Sequence, residues 1–246
     1  MGKITYQECV VLRVIRWRDD RFILNLLGKD WCVFTASWSL PKSKKVKKPL
    51  HPELFQNIQA TLQKHHDGMI RLRDYRETKS PDPTSLSNYL GLNTLSRYFL
   101  IACSEGPDRG PWHIWQKHQY LDLMQPIHRL SLHAELAYHS GVWPDGHYCE
   151  TCNSTIESQV FIDQAALLCK NCQDGGQMIH VDSIKWIQNF FYKSNSPNPH
   201  ELEIESLSLW LKRRLPEQTQ KDKTMRKLWS IYKKRLSSSI PRTLHA

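Results

Sequence analysis

Apolar and polar residues alternate along the first third of the chain and then recur at helical spacing. Within residues 4–38, Val10, Leu12 and Val14 interleave with Cys9, Val11, Arg13 and Ile15, marking a first strand. Phe22-Ile23-Leu24 with Leu26-Leu27 marks a second, ending at Gly28-Lys29-Asp30, and Trp31-Cys32-Val33-Phe34-Thr35-Ala36 a third. The Gly28-Lys29-Asp30 connection is short enough for a hairpin. Residues 54–64 and 67–77 predict two more strands around an Asp67-Gly68 turn. Five short strands within residues 1–80 predict a small Greek-key barrel of the OB-fold type.

The period changes after Ser80-Pro81-Asp82-Pro83. Leu86, Tyr89, Leu90, Leu95, Tyr98, Phe99 and Ala102 fit an amphipathic helix capped by Thr84 or Ser85. Gly106-Pro107 through Gly110-Pro111 reads as a loop, followed by helices over 112–124 and 127–140, with Gly141 placed to end the latter. Asp182 is the expected cap of a helix carrying Ile184, Ile187, Phe190 and Phe191. Residues 194–199 form a loop, and helices over 201–214 and 222–236 follow. In the last, Met225, Leu228, Trp229, Tyr232 and Leu236 share one face, with Arg226, Lys227, Lys233 and Lys234 off it. The expected class is α+β: an N-terminal OB-fold β-barrel over 1–80 that binds nucleic acid, then a helical domain over 81–246. Into that second domain a cysteine module is inserted at 146–176.

Cysteines give the sharpest chemistry. Cys149-x2-Cys152 and Cys169-x2-Cys172 are separated by 16 residues. A CxxC turn presents two thiolates to one metal, and two such knuckles complete a tetrahedral sulfur shell that favours zinc. Val160-Phe161-Ile162 and Leu167-Leu168 read as short strands between them, an arrangement like a zinc ribbon. Four thiolates leave no position for a reacting water, so the expected Zn2+ is a single structural ion. His139 and His147 lie near the first knuckle as packing or surface residues. Cys9, Cys32 and Cys103 sit in apolar runs and read as small core residues.

Charge points to a class of partner, and it does so at the two ends of the chain. The chain of 246 residues carries a formal charge of +10 and a pI near 9.3. Residues 1–80 hold 16 Lys+Arg against 8 Asp+Glu, residues 81–211 hold 7 against 14, and residues 212–246 hold 11 against 2. Two basic ends thus flank an acidic middle, pointing to a polyanion at the ends. Arg13, Arg16, Arg18 and Arg21 cluster on the first strand pair around Trp17, with Trp31 and Trp38 near the third strand. Cations that neutralise phosphates beside rings that stack on bases are what single-stranded nucleic acid requires. Lys42, Lys44, Lys45, Lys47 and Lys48 form a proline-bounded loop placed to close over a phosphate backbone. A second basic cluster comprises Lys212, Arg213, Arg214, Lys221, Lys223, Arg226, Lys227, Lys233, Lys234 and Arg235.

The chain has no P-loop, GxSxG, HExxH or Rossmann glycine pattern, so no catalytic residues and no enzyme activity are expected. Neither a signal-peptide core nor an apolar run near the roughly 20 residues of a membrane span is present. A cytoplasmic protein that uses no membrane and no small-molecule substrate is expected.

The order of barrel, lysine loop, helices, four-cysteine module and closing helix resembles the RecO family of bacterial DNA repair and recombination mediators. Glu8-Cys9-Val10-Val11-Leu12-Arg13 and Asp20-Arg21-Phe22-Ile23-Leu24-Asn25-Leu26-Leu27 are similar to that family's first two strands. Leu50-His51-Pro52-Glu53-Leu54-Phe55 resembles its "L-x-P-F" segment. Glu135-Leu136-Ala137-Tyr138-His139-Ser140-Gly141-Val142-Trp143-Pro144, leading into Cys149-Glu150-Thr151-Cys152, resembles its helix and Leu-Gly-x-x-Pro phrase. Phe161 with Leu167-Leu168-Cys169-Lys170-Asn171-Cys172, and Leu228-Trp229-Ser230-Ile231-Tyr232 ahead of Arg235-Leu236, complete the likeness. Asn153 stands where a glycine often follows the first knuckle. Ala165-Ala166 replaces a common Gly-Gly, and Ser37-Trp38-Ser39-Leu40 a Gly-Ala-Arg or Gly-Val-Lys phrase, marking a divergent member.

The resemblance implies binding of single- and double-stranded DNA and ATP-independent annealing of complementary strands. It implies a nucleoid-associated protein that binds the acidic C-terminal tail of single-strand DNA-binding protein and, with RecR, helps load RecA. Arg97 and Arg129, beside apolar helix positions, are the candidates for the tail's terminal carboxylate. Two other readings fit parts of the pattern: an RNA-binding or ribosome-associated zinc protein, and a metal-dependent nuclease or nucleic-acid-modifying enzyme.

Overall fold

The structure, a computed structural model, describes residues 4–40, 51–103, 106–156, 159–190, 198–215 and 230. These fall into two compact units, one running to Asp122 and the other starting at Leu123. Five strands build the first: β1 (Ile4–Arg18), β2 (Arg21–Gly28), β3 (Val33–Ser39), β4 (Asn57–Lys64) and β5 (Ile70–Glu77). They close a barrel in the order β1-β2-β3-β5-β4, with β4 returning antiparallel to β1. The closure uses one parallel pairing, Ala36↔Ile70 and Ser37↔Arg71.

Period-2 burial fills the interior. Leu24 and Leu26, Phe34, Ala36 and Trp38, and Ile58, Ala60 and Leu62 point inward with Cys9, Val11, Phe22 and Leu72. Cys9, Val10, Val11 and Leu12 are all buried. Simple alternation fails there because β1 carries a bulge between Val11 and Arg13, and helix α1 (Leu86–Ala102) packs on its outer face. Between β4 and β5 the chain turns through Gly68 at φ 83°, and the Asp67 carboxylate accepts the Met69 N–H at 3.0 Å.

The Ser80–Pro83 boundary marks a change of period and not a change of unit. α1 and α2 (Gly110–His118) belong with the barrel, so the helical domain expected over 81–246 is divided at residue 122. Asn57 is one reason. Its side-chain amide donates to the Lys79 carbonyl and to Gln119 Oε1, both at 2.8 Å, and its carbonyl oxygen accepts from Trp115 Nε1 at 3.2 Å. A buried amide satisfied by α2 fastens that helix to β4. Ser85 caps α1 by accepting the Asn88 N–H at 3.1 Å. Pro111 does not break the chain as expected: it lies in the first turn of α2, where a missing N–H costs nothing.

The second unit holds α3 (Pro126–His139), strands β6 (Val160–Asp163), β7 (Ala166–Cys169) and β8 (Gln177–Ile179), then α4 (Val181–Asn189) and α5 (Ile204–Arg214). The sheet order is β7-β6-β8. α3 ends as expected at Gly141, φ 70°, where Gly141 N–H donates to Tyr138 O and Val142 N–H to Ala137 O, both at 2.9 Å. This is a Schellman closure. α4 is capped by His180, whose Nδ1 accepts the Asp182 N–H at 3.3 Å, so Asp182 sits in the first turn instead of capping. Among the described residues, no helix is long and apolar enough to cross a membrane.

Candidate functional site

The four cysteines of the two knuckles converge. Their ligand atoms all lie within 4.8 Å of one another, a spacing that can hold one metal ion. Each knuckle is built by its own backbone. In the first, Cys149 N–H donates to the Ser154 carbonyl at 2.9 Å, and Asn153 N–H donates to the Cys149 carbonyl at 2.8 Å. Asn153 adopts φ 56°, a left-handed conformation that asparagine tolerates, and so does the work glycine does elsewhere. In the second, the N–H groups of Cys172 and Gln173 both reach the Cys169 carbonyl, at 3.1 and 3.2 Å. The β6–β7 hairpin presents Cys169 at its end, in register with Val160.

Protonation within the cluster is uneven. Burial resists ionisation of Cys149, yet the backbone N–H groups of Cys152, Cys169 and Thr151, with the Cys152 thiol, pull its pKa down to about 6. Cys152 is also made more acidic, chiefly by the Ser154 hydroxyl, 3.0 Å from its sulfur. Cys172 moves the other way, up to about 12, because its thiol is hydrogen-bonded to the sulfurs of Cys152 and Cys169. Protein groups thus favour some thiolates while crowding opposes the rest, a conflict that a bound cation removes.

Glu150, between the first two cysteines, ties the knuckles together. Its N–H donates to the Leu167 carbonyl at 2.9 Å, and its carboxylate accepts the Leu167 N–H at 2.8 Å. Arg214, from the last turn of α5, grips the same carboxylate with two hydrogen bonds of 2.8 and 2.7 Å. The guanidinium also donates to the carbonyls of Val142, at 2.8 Å, and Ala165. Arg214, expected on a polyanion, has its donors committed to Glu150 and to the Val142 and Ala165 carbonyls. Nothing in the local sequence signals this pairing, because 64 residues separate the partners. Lys212 is half-buried and Arg213 exposed on the same turn.

The other expected site residues are distributed as follows. Arg16, Trp17, Arg18 and Arg21 gather at the tip of the β1–β2 hairpin, all exposed, around an Asp19-Asp20 turn. Register shifts between Arg16 and Arg18, so Trp17 is a bulged residue with no cross-strand partner. Its side chain is 56% exposed, with the Arg18 guanidinium 4.9 Å from the ring centroid. Arg16 pairs with Asp19 at 3.2 Å, an exposed contact of little energetic weight. Trp38 lies in the barrel core and Trp31 packs against it. Trp38 is buried in the barrel, edge-on to Tyr75 at 5.5 Å, and Trp31 is half-buried, edge-on to Phe34 at 5.7 Å.

Arg13 and Arg97 line one cleft of about 440 Å³ between β1 and α1, together with Leu12, Leu54, Leu100 and the acidic Glu53. Arg129 is placed differently from the expectation that paired it with Arg97. It is buried and donates to the carbonyls of Leu123 and Met124, at 3.1 and 2.7 Å, and to Glu205 at 2.6 Å. A buried guanidinium needs such internal acceptors and offers no surface to a partner. Arg71, Arg73 and Arg76 on β5 were not singled out from sequence; the alternation of Arg71-Leu72-Arg73 around a buried leucine was the available signal. Lys42, Lys44, Lys45, Lys47, Lys48, Lys221, Lys223, Arg226, Lys227, Lys233, Lys234 and Arg235 lie outside the described residues.

Comparison with protein-family models and with curated protein sequences finds no match for this chain.

Proposed function

We propose that this chain is a divergent RecO-type mediator: it binds DNA, anneals complementary single strands without ATP and, with RecR, helps load RecA onto DNA coated by single-strand DNA-binding protein. The observation that carries the reading is the β1–β2 tip. An exposed bulged tryptophan beneath an arginine, with Arg13 and Arg21 on the same hairpin, is a stacking platform within a cationic surface. The closed five-stranded barrel with its single parallel pairing supports assignment as an OB-fold.

Annealing needs no nucleophile. Cations lower the repulsion between two strands, and counterion release drives their binding. The all-sulfur donor set and its closed spacing favour a structural Zn2+, held by Cys149, Cys152, Cys169 and Cys172. The cleft lined by Arg13 and Arg97 together with Leu12, Leu54 and Leu100 is the candidate seat for the acidic, carboxylate-terminated tail of single-strand DNA-binding protein.

The test is annealing of two complementary oligonucleotides across a salt series without ATP. Acceleration that fades as salt rises is expected. Tight binding without acceleration overturns the mediator reading, and preference for RNA over DNA in competition favours an RNA-binding zinc protein.

A further inference from the structure

The side of the barrel opposite β2 and β3 takes no part in the sites above. It is formed by β1, β4 and β5, which are neighbours in the closed order. Leu72 and Tyr75 of β5 both turn to the core although three residues apart, because the β4–β5 register shifts between them. Arg71, Arg73 and Arg76 are left on the outer face. Cross-strand register sets that face out in rows: Ile4, Gln63 and Arg71; Tyr6, Thr61 and Asp74; Glu8, Gln59 and Arg76. Tyr6 is 82% exposed at the centre of its row.

Tyr6 and Arg76 line one cleft of about 550 Å³ with Gln59, Thr61 and Asp74. Two acids at its margin are already neutralised: Lys29 holds Glu8 at 2.9 Å, and Arg109 holds Asp30 at 2.6 Å. Arg73 donates to Gln63 Oε1, whereas Arg71 and Arg76 have no carboxylate partner among the described residues. Lys64, exposed at the end of β4, adds a fourth cation. Asp74 and Glu77 oppose these charges and leave a cationic excess around an open aromatic ring. A ring that stacks on any base, with cations beside it for the backbone, is a single-strand contact.

We propose that the outer face of β1, β4 and β5 is a second single-strand site, separate from the β1–β2 tip. A base stacks on Tyr6 with its edge toward Gln59 and Thr61, and Arg71, Arg73 and Arg76 take the flanking phosphates. The inference rests on the annealing reading and deepens it. Tyr6 lies near the start of β1 and Trp17 near its end, no more than about 37 Å apart at roughly 3.4 Å per residue. One barrel thus holds two strands at once. Each strand then meets the other at a local concentration far above that in solution, which speeds pairing without any nucleotide cofactor.

The test cross-links the full-length chain by ultraviolet light to an excess of an oligonucleotide carrying 5-iodouracil, then maps the joined peptides. A cross-link at Tyr6 is expected beside one at Trp17. Two non-complementary oligonucleotides, one with a donor dye and one with an acceptor, should show energy transfer when mixed with the native chain. Tyr6→Ala combined with Arg76→Ala changes only exposed side chains, so the thermal midpoint and the Trp17 cross-link should stay as they are. Energy transfer should be lost and annealing slowed about tenfold, the order of one stacked base. Absence of a Tyr6 cross-link, or annealing by the double variant at the native rate, overturns the second site and leaves the annealing reading standing. No binding of either oligonucleotide at low salt overturns both.

Discussion

The same two residue types meet in both units and do opposite things. At the β1–β2 tip, Arg18 lies 4.9 Å from the Trp17 ring centroid, and both side chains face solvent. In α5, Arg214 lies 5.4 Å from the Trp210 ring centroid, but Trp210 is 2% exposed, and Arg214 also holds Glu150 and two carbonyls. An arginine over a tryptophan is therefore neither a binding platform nor a structural clamp by type. What decides is whether the guanidinium's donors are committed inside the protein and whether the ring is covered.

The widest separation between the two regions is expected at the four-cysteine site. Cys149→Ser removes a sulfur ligand from the second unit, and chelation removes the ion itself. Bound metal is expected to be lost and the β6–β8 sheet to become protease-sensitive, as metal analysis and limited proteolysis will show. DNA binding at the hairpin tip is expected to persist. Acidification acts in the same direction. Cys172, raised to about 12, must release its proton when metal binds, so affinity rises with pH and falls as protons compete at lower pH. Metal content measured after dialysis at stepped pH checks this sign.

Arg214→Ala comes next. It strips a partly buried carboxylate of two charge-assisted hydrogen bonds, and a loss of about 2 kcal/mol in the second unit's unfolding free energy is expected. DNA affinity should not move; a matching fall in affinity would return Arg214 to the interface. Trp17→Ala reverses that pattern. Stability is expected to stay within about 0.5 kcal/mol, since the ring has no cross-strand partner. Single-strand affinity should fall about tenfold, within the roughly 1–3 kcal/mol carried by one stacked base. An oligonucleotide bearing 2-aminopurine should lose fluorescence on binding the native chain and keep it with the variant. The smallest effect belongs to Arg18→Ala, which should flatten the single-strand salt slope by about 0.7 for each phosphate no longer neutralised.

Where a pattern is local, the sequence shows the structure well. The inward residues of β2, β3 and β4 alternate as written, and both CxxC pairs form the cluster their spacing predicts. Gly141 ends α3 and Ser85 caps α1 because those motifs need only neighbours. Most of the misreadings are tertiary. Trp38 belongs to the barrel core, which no local feature distinguishes from a stacking site. Arg129 and Glu205, 76 residues apart, pair inside the second unit, as do Arg214 and Glu150. One misreading is local: His180 takes the cap expected of Asp182, its imidazole nitrogen accepting the Asp182 N–H itself. Charge counted along a chain does not reveal which cations are already spoken for.

Arg214 also sets how the second unit comes apart. Through one guanidinium it joins the carbonyl just past α3, the residue between Cys149 and Thr151, the β6–β7 turn and the last turn of α5. These four segments are therefore expected to open together. Stripping the metal should speed amide hydrogen exchange in α3 and α5 together with the small sheet, although neither helix contains a cysteine. That outcome would make the unit one foldon whose protection is set at a position outside the four cysteines.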